Sequence, residues 1–80
     1  MAEIIITLRV LKRGARAQQI LDAVTERLGV PGVEPDDHRV VRLPMGNARP
    51  PRAWERVRDA LDSAGDDWRE WLHLEPRPNR

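Results

Sequence analysis

Apolar strand patterns alternate with apolar helical stripes along this chain. The order β-α-β-α-β predicts a small α/β domain on a three-stranded, mainly parallel sheet with two helices. Three observations carry that expectation. Residues 3–11 are rich in β-branched side chains and apolar on both faces at a period of two. Residues 15–28 and 51–64 repeat apolar side chains at helical spacing, and each stretch is followed by glycine. Two shorter alternating runs, at 38–43 and 71–75, complete the set.

In the first strand Ile4, Ile6, Leu8 and Val10 share one face, while Ile5, Thr7, Arg9 and Leu11 share the other. Strands apolar on both faces are usually central and covered on both sides. That places this strand in the middle, in the order 2-1-3, with a helix on each face of the sheet. Two other arrangements fit less well. The order 3-2-1 would put both helices on one face and the first strand at an edge. A ferredoxin-like α+β sandwich would need a further strand, sought in residues 45–49.

The first helix carries Ala17, Ile20, Leu21, Val24 and Leu28 on one side, with Gly29 as its C-terminal cap and Pro31 barring continuation. Residues 31–37 form a linker holding two prolines. Val41 and Leu43 share a side of the second strand, which Pro44 ends or leaves at an edge. A turn follows, in which Gly46 and Asn47 are suited to positive φ. Pro51 fits the first turn of the second helix, whose apolar face holds Trp54, Val57, Leu61 and Ala64. The last strand spans 71–75, although the spacing of Trp68, Trp71 and Leu72 also suits a helical turn. Residues 1–75 thus read as a single domain and 76–80 as a flexible C-terminal tail.

Composition narrows the function classes. At 80 residues the chain buries roughly 60–65% of the surface its unfolded form exposes, and with no cysteine it has neither disulfides nor thiolate metal sites. The absence of cysteine and of any bilayer-length apolar run leads to the expectation of a cytoplasmic protein with no membrane contact. Net charge is +1, and thirteen of the fourteen basic residues are arginine. Positive charge exceeds negative up to residue 58, and the remainder is acidic.

No catalytic constellation is visible. Ser63 is the sole serine, His38 and His73 lie far apart, and no cysteine is present. An enzyme would need one of those histidines as acid–base group in a site formed between protomers. The acidic residues Asp36–Asp37 and Asp66, Asp67 and Glu70 read as solvated loops and turns, so no metal site is expected. Neither nucleotide-binding glycine motif occurs, and no cofactor is expected.

In a parallel sheet, the turns after the first and second strands would meet at one edge, gathering Lys12, Arg13, Arg16, Arg49 and Arg52 near two helix N-termini. That would make an anion site. A nucleic acid is then the alternative partner, although the chain has no Phe or Tyr to act as a stacking platform. Trp54 reads as core, and Trp68 and Trp71 beside the last strand read as an interface. The leading expectation is a non-enzymatic binding or adaptor module that contacts a protein partner or a second copy of itself.

Overall fold

The computed structural model of the protein describes residues 3–47 and 49–76. Its elements are β1 (Ile5–Val10), α1 (Ala15–Leu28), β2 (Val40–Pro44), α2 (Pro50–Ala64), α3 (Trp68–Trp71) and β3 (Leu72–Leu74). Except for Pro76, the expected C-terminal tail lies outside the described residues. In the stretch proposed for a further strand, Ala48 also lies outside them, and residues 45–47 and 49 hold no strand.

The strand order is β2-β1-β3, but both pairings of β1 are antiparallel, and the fold is α+β. This corrects the expectation of a mainly parallel sheet. The reason lies in residues 30–39. A direct β-α-β crossover would enter the second strand soon after the first helix. Here α1, about 21 Å long at 1.5 Å per residue, is capped by Gly29 and followed by residues 30–39, which lead back towards the end of β1. Pro31 and Pro35 favour extended backbone before them. Val10 N–H then donates to the Arg39 carbonyl at 2.8 Å, and the chain enters β2 already reversed. The second half keeps the expected crossover. β2 and β3 run in the same direction, linked through α2 and α3, with β1 inserted antiparallel between them.

Burial alternates cleanly along the sheet. Ile6, Leu8 and Val10 on β1, Val41 and Leu43 on β2, and Leu72 on β3 are buried together with Ile20, Leu21 and Val24 of α1 and Ala53, Val57 and Leu61 of α2. The two helices also pack on each other. Both therefore lie on one face of the sheet, not one on each face as the two-sided apolar pattern of the first strand suggested. That pattern instead leaves Ile5 and Leu11 each 45% exposed.

The helix ends follow local chemistry. Gly29 adopts φ 70°, and the N–H groups of Gly29 and Val30 return to the carbonyls of Glu26 and Thr25. Pro50 and Pro51 occupy the first turn of α2, where missing N–H groups cost nothing. The Trp68-Trp71-Leu72 spacing resolves as the short helix α3, and β3 begins directly after it.

Arg39, the hinge of the reversal, holds φ 62° without being glycine. A left-handed conformation costs a side-chain-bearing residue roughly 1–2 kcal/mol. Arg39→Gly is expected to raise stability to chemical denaturation by about 1 kcal/mol, and Arg39→Val to lower it. Equal stability of the two variants would contradict this account of the turn.

Candidate functional site

The antiparallel sheet separates the two basic loops. Lys12, Arg13 and Arg16 follow the carboxyl end of β1, which lies beside the start of β2. Arg49 and Arg52 follow Gly46, whose carbonyl accepts Ile4 N–H at the opposite end of β1. The five residues expected to form one anion site are thus divided between the two ends of the sheet.

Within the first group Arg16 and Lys12 are already engaged. Arg16 donates from Nε and Nη2 to the two carboxylate oxygens of Asp67, at 3.0 and 2.7 Å. The Arg16 hydrogen bond is also the main reason the Asp67 carboxyl titrates below its usual range. Lys12 Nζ sits 5.5 Å from the centre of the Trp71 ring. The cleft beside these residues, about 320 Å³, is lined by Lys12, Arg13 and Arg39 but also by Asp36 and Asp37. Its charge is mixed.

The two tryptophans expected at an interface have separate roles. Trp68 is 5% exposed, and its Nε1–H donates to Asp62 Oδ1 at 2.8 Å, so most of its ring serves the core. Trp71 is half-buried against Gly14, the residue that opens α1. A β-carbon on Gly14 would come within 2.9 Å of Trp71 Cζ3, so only glycine allows the ring to lie there. Gly65 similarly leaves room for the Arg16 guanidinium on its way to Asp67. Together these contacts tie the start of α1 to α3.

Asp36 organises the other connection. Its Oδ1 accepts the N–H groups of His38 (2.8 Å) and Val40 (3.0 Å), and its Oδ2 accepts Arg42 Nη1 at 3.0 Å. Its own N–H donates to the Val40 carbonyl at 3.0 Å. The Val40 and Arg42 hydrogen bonds, in that order, pull its carboxyl down to about 2. Both outward-facing backbone groups of Val40 are thereby occupied, and Pro44 has no N–H to offer. The free edge of β2 is closed at both ends.

What remains open is the second face of the sheet. The register sets Ile5 opposite Pro44, Thr7 opposite Arg42, and Arg9 between Val40 and His73. No helix covers this face among the described residues, and Arg9, Arg42 and His73 are exposed on it. Its signal in the sequence was the second apolar face of the first strand, read there as the mark of a covering helix.

Among the described residues no His, Cys, Asp or Glu grouping is arranged to hold a metal ion, and no helix is long and apolar enough to cross a membrane. His38 lies in the turn before β2 and His73 in β3. No family model, curated protein or solved structure matches the chain.

Two outcomes test these connections. A carboxyl whose pKa is lowered on folding stabilises the folded state above its unfolded value near 3.8, and that contribution disappears as pH falls through about 2. The stability advantage of wild type over Asp36→Asn, measured by urea titration, is therefore expected at pH 5 to 7 and to shrink between pH 4 and pH 2. Gly14→Ala is expected to cost about 1–3 kcal/mol through displacement of the Trp71 ring, visible as a changed tryptophan emission in the folded state.

Proposed function

We propose that the chain is a non-enzymatic protein-binding module whose contact surface is the bare face of its sheet. The observation that supports this reading is the 45% exposure of both Ile5 and Leu11, at the two ends of the central strand on the uncovered side. Antiparallel sheets commonly face water on one side, but that side is then mostly polar. Here large aliphatic side chains flank a basic centre, the arrangement of an interaction patch. Arg9, between Val40 and His73, calls for a carboxylate in the partner. The partner is another protein or a second copy of this chain. With no cysteine to protect or pair, the cytoplasm is the compartment proposed for it.

The test is a pair of substitutions on that face. Ile5→Lys with Leu11→Lys is expected to leave the circular-dichroism spectrum and thermal midpoint close to wild type, because both side chains lie outside the core. The same variant should lose self-association in light scattering, or lose the proteins retained by the wild-type chain in affinity purification. An unchanged mass and an unchanged set of retained proteins would refute the reading.

A further inference from the structure

The free edge of β3 differs from that of β2. Antiparallel pairing alternates, and the bonds of Leu11 N–H to the Trp71 carbonyl and of Glu75 N–H to the Thr7 carbonyl set its phase. Trp71 and His73, with the N–H of Glu75, therefore turn their backbone groups towards β1, and Leu72 and Leu74 turn theirs outward. The Leu72 N–H closes α3 on the Trp68 carbonyl. This leaves the Leu72 carbonyl and both backbone groups of Leu74 facing out, between α3 on one side and Pro76, which has no N–H, on the other.

Beside this edge runs a groove between β3, α2 and α3, lined by Trp54, Arg58, Trp68, Arg69, Leu72 and Leu74 among others. None of the described residues lining it is acidic. The guanidinium of Arg58 lies 5.7 Å from the centre of the Trp54 ring, and that of Arg69 lies 5.0 Å from the Trp68 ring. Neither arginine forms a salt bridge among the described residues. A guanidinium held over an aromatic face keeps its N–H edge free for a planar anion, and the stacking holds the side chain in place. Two polar groups at the rim are already satisfied. Trp54 Nε1–H donates to the Glu75 carbonyl at 2.6 Å, and Asp62 Oδ1 is taken by Trp68.

We infer that this edge takes up a short extended peptide carrying carboxylates, added as a fourth strand beside β3. Main-chain hydrogen bonds to Leu72 and Leu74 supply a register, and the groove reads every second side chain. Those side chains lay their methylenes on tryptophan and leucine and present their carboxylates to Arg58 and Arg69. The window between α3 and Pro76 is short, so the ligand is a linear segment. A second copy of this chain is disfavoured, because its own β3 would bring the same two arginines to the junction. The surface is distinct from the bare sheet face, and either can fail without the other.

Fluorescence anisotropy with a short labelled peptide of alternating glutamate and valine tests the inference, with glutamine–valine and lysine–valine peptides of equal length as controls. The glutamate peptide is expected to bind with a Kd below about 1 mM, and both controls at least about tenfold more weakly. Binding should weaken with added salt. The exposed double variant Arg58→Glu, Arg69→Glu, shown folded by circular dichroism, should lose about tenfold or more in affinity. The variant Ile5→Lys, Leu11→Lys should bind as wild type does. A peptide N-methylated at alternate residues should lose binding in one of its two phases. Absence of binding by the glutamate peptide, equal binding of the glutamine peptide, full affinity of the arginine double variant, or indifference to N-methylation in both phases would each overturn the inference.

Discussion

β1 is hydrogen-bonded along both edges and buried on one face, and the remaining architecture follows from that combination. Pairing with β2 along its length and with β3 over Leu8–Val10 bonds most of its backbone groups without help from the helices. Covering one face then suffices to bury Ile6, Leu8 and Val10, and α1 and α2 do so side by side, closing the core with Leu21, Val24, Val57 and Leu61. A chain of 80 residues has little apolar surface to spend on a second layer. The fold concentrates what it has on one side of the sheet. Leu8, Ile20, Val24, Val41, Leu43, Val57 and Leu61 are fully excluded from solvent. Burying an aliphatic side chain of this kind contributes about 1.5–3 kcal/mol, so the concentration matters to so small a domain.

The connections at the carboxyl end of β1 hold this layer in register. Arg16 and Asp67 join the first turn of α1 to the turn before α3, and Trp71 rests on Gly14 beside them. Asp36 fixes the entry to β2 with five hydrogen bonds at one residue. All these groups are surface or half-buried, so they choose among arrangements of the chain more than they add to its stability.

Which residues form strands and helices was legible in the sequence, and so were the strand order and the buried stripes of α1 and α2. Strand direction was not. A period of two fixes which side chains share a face, but it is the same read in either direction along the sheet. Direction was decided by residues 30–39, where the informative features are Pro31, Pro35 and the Asx-type turn at Asp36, each a weak signal by itself. The same gap explains the candidate site. Lys12, Arg13 and Arg16 meet Arg49 and Arg52 only in a parallel sheet, so the error in direction dissolved the cluster. Ile5 and Leu11 were correctly seen as a second apolar face, but periodicity alone cannot say whether such a face meets a helix of its own chain or is left bare. Trp68 and Trp71 lay where the helical and strand spacings overlap, and only the fold shows Trp71 lying against Gly14 and Trp68 bonded to Asp62.

The unequal edges of the sheet also set a limit on growth. Sheets that extend by joining the edge of one molecule to the opposite edge of the next build open-ended filaments. Here Asp36 occupies both outward groups of Val40, and Pro44 removes a donor at the other end of β2. Between these two ends only the backbone groups of Arg42 and the Pro44 carbonyl still face outward on β2, so that edge offers a neighbouring strand little to pair with. An isolated module with a marginal core and an open strand edge would ordinarily be at risk of runaway association. A single aspartate and a single proline shorten that exposure along β2.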